Sequence, residues 1–229
     1  YGVHRTERPG STKPDQASIV NAISILLPER KTVAGKWADG TKLSVRPNDL
    51  AADSQGGAYF TSGCVYYASP NGSVTVVAEN IRTNGIVFSP DDKTLYVTNG
   101  GTIVAFDVKG PGVLANRRDF ATLAMGNGDG CAVDAEGRLY VTSNPGVQVF
   151  DKTGKYLGHK ETVFQNIWTK FDPVTGKPTY REDILHETLG KPVDACPTSA
   201  GGHNWPATSY NPPTGLLIAP LVQACQVMV

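Results

Sequence analysis

Short apolar runs alternate with polar turns along most of this chain, and three segments repeat the same order. Each begins with a polar leading residue and continues with a short apolar strand, an acidic turn and a second strand. The segments are NDLAADSQGGAYFTSG (48–63), NGIVFSPDDKTLYVTNG (84–100) and DGCAVDAEGRLYVTSN (129–144). Runs of this kind, bounded by Gly, Asn and Asp, are typical of strands. The pattern therefore predicts an all-β chain.

The spacing of the three leading residues predicts how the strands are grouped. Asn48, Asn84 and Asp129 are 36 and 45 residues apart in the sequence, which is close to the length of one β-propeller blade. About three such units fit into residues 31–158, so we predict a β-propeller of four-stranded antiparallel blades. Because equivalent blade positions surround one axis, we expect the three leading side chains to converge.

Local signals add detail to this picture. Pro70, Asn71 and Gly72 lie between runs rich in Tyr and Val, and the Asn-Gly pair predicts a hairpin with a type I′ turn. Residues 17–30 are compatible with a short helix or with a strand that ends at Pro28. We divide the chain into an irregular segment at 1–30, propeller blades at 31–160 and a segment of different character at 161–229.

Composition excludes some classes of partner. The chain has 229 residues and a formal net charge of zero, so it lacks the concentrated basic surface that binds nucleic acid. The apolar stretches at 17–27 and 216–229 are too short or too interrupted to span a bilayer. No signal peptide is visible and Tyr1 is not an initiator Met, so we expect either a mature form or a piece of a longer protein.

The four cysteines show no CxxC spacing, which argues against a zinc ribbon. Cys64 and Cys131 lie in or beside predicted strands and are expected to be small buried apolar side chains. Cys196 and Cys225 lie in loop-like surroundings, where a disulfide bond and two free thiols are equally compatible with the sequence. The localisation stays open, with the periplasm or secretion slightly favoured over the cytoplasm.

Three motifs occur in a fixed order within residues 31–158: RPND (46–49), NGIVFSPDDKTLYVT (84–98) and GDGCAVDAEGRLYVT (128–142). Together they resemble the gluconolactonase, senescence-marker-protein and regucalcin family of calcium-dependent lactonases, which are six-bladed propellers. The resemblance implies that Asn84 and Asp129 are metal ligands and that Asp129 is also the base that acts on water. It further implies that Arg46 and Asn48 bind the substrate.

The resemblance has two departures. The third protein ligand of the family is a Glu in a segment of the Gly-Glu-x-Pro-x-Trp kind, and this chain has no such segment. The matching motifs also cover only about half of a six-bladed ring. We therefore expect a propeller that is incomplete relative to the family.

Residues 164–229 resemble a different class. FDPVTGKP (171–178), GGHNWP (201–206) and SYNPPTGL (209–216) are similar to blade segments of pyrroloquinoline-quinone-dependent alcohol and glucose dehydrogenases, which are eight-bladed propellers. The vicinal disulfide and acid-rich metal site that hold the quinone have no counterpart, so we expect no quinone site here. His203, Asn204 and Trp205 are more typical of blade packing than of a ligand-stacking corner.

Simpler interpretations exist for the candidate residues. Asn-Gly and Asp-Gly are common turn formers, so local sequence alone makes Asn84 and Asp129 turn residues, whereas the order of the motifs favours a metal site. Arg46 is as compatible with a solvated surface position as with binding substrate oxygens. Four further acids are predicted to lie in turns between strands. They are Asp91, Asp92, Asp134 and Asp151.

These observations favour a lactonase-type hydrolase. We predict hydrolysis of a sugar lactone or related ester by metal-activated water, with calcium, or magnesium or manganese, held by oxygen ligands. One alternative is a catalytically inactive or truncated propeller module that self-associates through open blade edges. Another is a piece of a quinone-dependent oxidoreductase. The sequence leaves the lactone and the oligomeric state open.

Overall fold

The protein is described by a computed structural model that covers residues 2–6, 20–25, 31–143, 146–161, 163–186, 188–198, 201–202, 209–211, 213–214 and 216–229. Strands dominate these residues, and the helix α1 (Glu182–Leu185) is a single turn. The all-β prediction is confirmed. The interpretation of His203, Asn204 and Trp205 concerns residues outside the described part.

Four sheets follow one another along residues 2–160, and each is formed mainly by strands that are adjacent in sequence. The first sheet contains β1 (Gly2–Thr6), β2 (Val20–Ile25) and β3 (Lys31–Ala34). The second contains β4 (Lys36–Trp37), β5 (Leu50–Ala52), β6 (Ala58–Thr61), β7 (Val65–Ala68) and β8 (Ser73–Ala78). The third contains β9 (Thr83–Phe88), β10 (Thr94–Asn99), β11 (Thr102–Gly110) and β12 (Val113–Thr122). The fourth contains β13 (Cys131–Val133), β14 (Leu139–Ser143), β15 (Gly146–Phe150) and β16 (Tyr156–Lys160). The third and fourth sheets are thus four-stranded antiparallel meanders.

The C-terminal part consists of strand pairs. Its strands are β17 (Trp168–Phe171), β18 (Pro178–Tyr180), β19 (Val193–Ala195), β20 (Ser209–Asn211), β21 (Leu216–Ile218) and β22 (Gln226–Met228). The pairs are β17 with β18, β20 with β21, and β19 with β22. A disulfide bond joins Cys196, just after β19, to Cys225, just before β22. Of the two states that the sequence leaves open for these cysteines, the structure contains the bonded one.

Apolar layers between consecutive sheets hold the first four sheets in a stack. Because successive side chains of a strand point to opposite faces, each sheet can contribute to the layer before it and the layer after it. Neighbouring residues of β6 illustrate this, since Phe60 packs with Ile23 of the first sheet and Tyr59 packs with residues of the third. In β10, Leu95 likewise belongs to the layer with the second sheet and Tyr96 to the layer with the fourth. Stacking of this kind places β9 beside both β5 and β13.

The hairpin predicted at Asn71-Gly72 is confirmed, because β7 and β8 are antiparallel neighbours joined by residues 69–72. The predicted type I′ turn is wrong. Gly72 has a φ of 92°, but Asn71 does not adopt the positive φ that this turn requires. The Gly72 amide donates to the Ser69 carbonyl at 2.9 Å, and Pro70 at the second position favours a type I turn instead.

The N-terminal prediction also needs correction. Residues 1–30 are predicted to be irregular, whereas the structure places β1 and β2 there and pairs them with each other and with β3. Of the two alternatives for 17–30, the strand is therefore the one observed. The reason is tertiary, since Ile23 is buried against the second sheet.

Candidate metal and substrate site

The three leading residues, Asn48, Asn84 and Asp129, lie side by side at one end of β5, β9 and β13; we call them the lead residues. The Asn48 side-chain amide donates to Asn84 Oδ1 at 3.1 Å. The Gly85 amide donates to the main-chain carbonyl of Asp129 at 3.0 Å. The structure therefore brings the lead residues of three successive sheets into one row.

Close contact in this row depends on Gly85. A Cβ atom at this position would lie 2.4 Å from the Asp129 carbonyl oxygen and 2.9 Å from the Cys131 amide nitrogen. Both neighbours are main-chain atoms, which cannot rotate away as a side chain can. The Gly that follows Asn84 is what lets β9 lie directly against residues 129–131.

Two buried threonine hydroxyls connect the lead residues to the preceding sheet. Thr61, at the end of β6, donates to the Asn84 carbonyl at 2.6 Å. Thr98, in β10, lies 3.3 Å from the Asp129 carbonyl. Both threonines have 0% exposed surface. We call these two contacts the hydroxyl clasps. The sequence does not single out these threonines, although Thr recurs as the last residue of AYFT (58–61), LYVT (95–98) and LYVT (139–142).

Asp49 is a second feature that sequence analysis missed. Its carboxylate accepts hydrogen bonds from the Leu50 amide at 2.8 Å and from the Ile86 amide at 3.1 Å, so it ties β5 to β9. Burial raises the pKa of Asp49, the two amide hydrogen bonds oppose that rise, and the negative charge of Asp129 adds to it. Asp49 therefore lies within electrostatic reach of the row of lead residues. The signal was its place directly after Asn48 in RPND.

Accessibility differs among the predicted site residues. Arg46, Asn48 and Asp129 are exposed, and Asn84 is half-buried. Arg46 stands two residues before Asn48 and forms no hydrogen bond or ion pair with the described residues. Its guanidinium is therefore available to a ligand, although no contact joins it to the lead residues.

The donor atoms of this row suit a hard cation. Two carboxamides and a carboxylate supply only oxygen ligands, which match calcium or magnesium better than zinc. Within the described ranges, no group of three or more His, Cys, Asp or Glu could hold a metal ion. The Asp49 carboxylate is occupied by two amides, so Asp129 provides the one accessible negative charge of the row. The residues therefore fit a weakly charged oxygen site, for which low cation affinity is expected.

A cavity of about 280 Å³ lies elsewhere, lined by Asp53, Tyr59, Phe88, Lys109 and Pro111 among others. Asp53 follows β5 and Phe88 ends β9, whereas the lead residues lie at the beginning of these strands. The Tyr59 hydroxyl in this cavity is engaged by the Gly112 amide and the Gly110 carbonyl. The cavity is therefore at the opposite end of the sheets from the candidate site.

The predicted turn acids are found in turns. Asp91 accepts from the Lys93 amide at 3.2 Å, and Asp151 accepts from the Thr153 amide at 2.8 Å. Asp134 accepts from the Arg138 amide at 2.9 Å. Their hydrogen bonds close the local chain, as expected for Asp in this position.

Residues 21–170 match the family described as SMP-30/Gluconolactonase/LRE-like region. The chain belongs to this family. Among solved structures it is similar to a gluconolactonase from Xanthomonas campestris, with 30% identity and a TM-score of 0.51 over 62% of this chain and 54% of that chain. It shares its fold with the calcium-binding protein regucalcin from Agrobacterium tumefaciens, with 20% identity and a TM-score of 0.51 over 62% of this chain and 59% of that chain.

Curated relatives come from two classes, as the motifs predicted. Lactonase drp35 from Staphylococcus saprophyticus is 35% identical over 131 residues, which cover 48% of this chain and 40% of the relative. The dehydrogenase subunit of a quinone alcohol dehydrogenase from Gluconobacter oxydans is 42% identical over 72 residues, or 31% of this chain and 10% of the relative. The chain thus spans less than half the length of these curated relatives and about half that of the solved gluconolactonase.

Within the described ranges, no helix is long and apolar enough to cross a bilayer.

Proposed function

We propose that this chain provides the lactone-hydrolysing site of a divalent-metal-dependent lactonase, with calcium, or magnesium or manganese, as the cofactor. In this proposal the stacked sheets at 31–160 are consecutive blades of a β-propeller that is incomplete relative to six-bladed relatives. Residues 161–229 then form a separate quinoprotein-like segment. The Cys196–Cys225 bond favours an oxidising compartment such as the periplasm or the outside of the cell.

The observation that carries the proposal is the row of lead residues. Asn48, Asn84 and Asp129 come from three successive sheets and lie beside one another at one end of the stack. The Asn48 side-chain amide donates to Asn84 Oδ1 at 3.1 Å, and the Gly85 amide donates to the Asp129 main-chain carbonyl at 3.0 Å. Membership of the gluconolactonase-like family supports the same chemistry. Asn84 and Asp129 would hold the cation, and Asn48 and Arg46 would hold the substrate.

Each residue has a defined task in lactone hydrolysis. Asn84 and Asp129 would hold the divalent cation, which would supply stabilisation of the negative charge on the lactone carbonyl oxygen. Asp129 accepts the proton of the attacking water as a general base. Arg46 donates hydrogen bonds from its planar guanidinium to carboxylate or hydroxyl oxygens of the sugar acid and so orients the ring. Asn48 holds Asn84 in place and offers its own carbonyl oxygen to a substrate hydroxyl.

The test is Asp129→Ala, assayed by calcium-dependent hydrolysis of gluconolactone in a pH-stat. We expect turnover to fall at least about 100-fold, since the variant lacks the general base and the accessible negative charge. Asp119→Ala is the matched control, because Asp119 is an exposed carboxylate on β12 in another part of the third sheet. Unchanged turnover in Asp129→Ala would discard the mechanism.

Two other functions remain as alternatives, each with its own observation. Asp129 is the one accessible acid among the lead residues, and this low charge favours a catalytically inactive or truncated module that self-associates. Light scattering of the metal-free chain tests this. The 72-residue match to a quinone alcohol dehydrogenase subunit favours a piece of an oxidoreductase. Dye reduction after addition of pyrroloquinoline quinone would support that second alternative.

A further inference from the structure

A threonine recurs at the equivalent position of the second, third and fourth sheets, and its hydroxyl has an equivalent carbonyl neighbour in each sheet. Thr61, Thr98 and Thr142 each lie near a carbonyl of their own sheet, at 3.5 Å from Asp49, 3.4 Å from Gly85 and 3.0 Å from Gly130 respectively. Each acceptor is the residue directly after a lead residue. The recurring threonine is therefore built into the end of the sheet where the candidate site lies.

Thr61 and Thr98 each make a second contact, which reaches the next sheet. Thr61 reaches the Asn84 carbonyl and Thr98 reaches the Asp129 carbonyl, and both acceptors belong to the next sheet. The Thr142 hydroxyl, in the last of the stacked sheets, donates to the Gly130 carbonyl of its own sheet and, among the described residues, to no carbonyl outside that sheet. The hydroxyl clasps therefore fix one sheet relative to the next at the lead residues themselves.

We propose that Thr61 and Thr98 are positioning residues that set the separation of the lead residues and thereby the geometry of the oxygen donors of Asn84 and Asp129. The inference rests on the proposed function for what the donors bind. Since the hydroxyls are fully buried and bond to the main chain, they act through the carbonyls and do not touch the ligand. A Val at either position keeps the shape of Thr and removes the hydroxyl.

The first experiment tests, without any ligand, whether Thr98 holds the lead residues in position. Amide hydrogen exchange is measured by NMR for Gly85, whose amide bonds to the same Asp129 carbonyl as Thr98. Thr98→Val should speed exchange of Gly85 about 3- to 10-fold relative to amides of β7, because the loss of one neutral hydrogen bond corresponds to a change of this size. Thr98→Ser should restore the slow rate, and Thr142→Val should leave it as in the wild type. Equal rates in Thr98→Val and the wild type would overturn the proposal.

The second experiment tests whether loss of a threonine hydroxyl weakens cation binding at the candidate site. Calcium binding to the full chain is measured by titration calorimetry, and Thr61→Val should raise the dissociation constant about 3- to 10-fold. Thr61→Ser should restore it and Thr142→Val should not change it. Equal weakening by Thr61→Val and Thr142→Val would mean a general structural effect and would overturn positioning. A wild-type chain that binds no calcium would count against the proposed function, and the exchange of Gly85 would then decide positioning by itself.

Discussion

Gly85 permits the close approach of the third and fourth sheets. A Cβ atom there would meet the main chain of Asp129 and Cys131 at less than 3 Å, so the Gly85→Ala variant must push β9 away from residues 129–131. Strain of this kind typically costs about 1–3 kcal/mol. We expect Gly85→Ala to lower the free energy of unfolding by that amount in urea titrations.

Gly110→Ala is the control for this prediction. Gly110 is likewise a strand residue, the last of β11, but a Cβ atom at this position has no neighbour within 4 Å and its φ lies outside the left-handed region. We expect the free energy of unfolding of Gly110→Ala to stay within about 0.5 kcal/mol of that of the wild type. Equal losses in the two variants would show that close approach at Gly85 is not the cause.

Asp49 predicts a pH dependence of stability. Its pKa is raised in the folded protein by burial, so its contribution to stability is complete below the ordinary Asp value of about 3.9 and is lost as the pH rises through the folded pKa. Asp49→Asn keeps one of the two acceptor oxygens and does not ionise, so the comparison concerns the trend with pH. We therefore expect this variant to gain stability relative to the wild type as the pH rises from about 4 toward neutrality, as measured by urea unfolding at a series of pH values.

Asp107→Asn is the control with the opposite sign. Hydrogen bonds from Asn116, Arg118 and Lys109 lower the pKa of Asp107 to about 2, so its contribution is present above the ordinary Asp value and is lost as the pH falls through about 2. Asp107→Asn should therefore lose stability relative to the wild type at neutral pH and approach it in acid. A parallel trend for the two variants would contradict the assignment for Asp49.

The strand pair β19–β22 is held by one covalent bond. Cys196 and Cys225 are separated by 29 residues, and closing a loop of this size stabilises the folded state by about 3–4 kcal/mol in the chain-entropy model. We expect reduction, or a Cys196→Ser/Cys225→Ser double variant, to make residues 161–229 sensitive to limited proteolysis. Cys64→Ser should leave the digestion pattern unchanged, since Cys64 is a free thiol. Equal digestion of all forms would contradict a stabilising role for the bond.

Strands and hairpins of the central sheets could be predicted because their signals are local. Thr94–Asn99 and Thr102–Gly110 flank Gly100, which adopts a φ of 57°, as the Asn-Gly-Gly sequence indicates. The turn at residues 69–72 shows the limit of this reasoning, since the proline changed the turn type while the hairpin remained. The sequence of β2 is compatible with a helix or a strand, because the outcome depends on packing against a sheet that is distant in sequence.

The candidate site could be predicted only in part, because some of its contacts join sheets that are distant in sequence. Asn48, Asn84 and Asp129 were found from repeat order and resemblance. Thr61, Thr98 and Asp49 were not found, because their importance depends on atoms of the neighbouring sheet. A repeated Thr after an aromatic strand is, within one segment, an ordinary strand residue. The carbonyl that accepts the hydrogen bond of the threonine hydroxyl can be identified only when the two stacked sheets are known.

The stack of sheets predicts self-association. In the third sheet Tyr96, Ile103 and Ala105 are buried against the fourth, whereas Tyr140, Val147 and Val149 of the fourth sheet are only half-buried. A partly exposed apolar face of this kind favours pairing with a second copy of the chain. We expect sedimentation velocity to show association that increases with concentration.

Val149→Lys should weaken this association, because it introduces a charge into the half-buried face. Val113→Lys introduces the same charge at the exposed first residue of β12 and serves as the control. A monomer at every concentration, or equal effects of the two lysines, would rule out this face as the contact.

The hydroxyl clasps have a consequence for how such a site changes during evolution. Thr61 and Thr98 bond to main-chain carbonyls, which every amino acid supplies, so the frame is indifferent to the side chain carried at 84 or 129. The three lead residues already differ, two being amides and one an acid. Replacing Asn84 by Asp would add a formal charge, while the hydrogen bond from Thr61 to the main-chain carbonyl of residue 84 persists. Single substitutions at the lead residues can therefore change which ion is preferred without a change of the backbone.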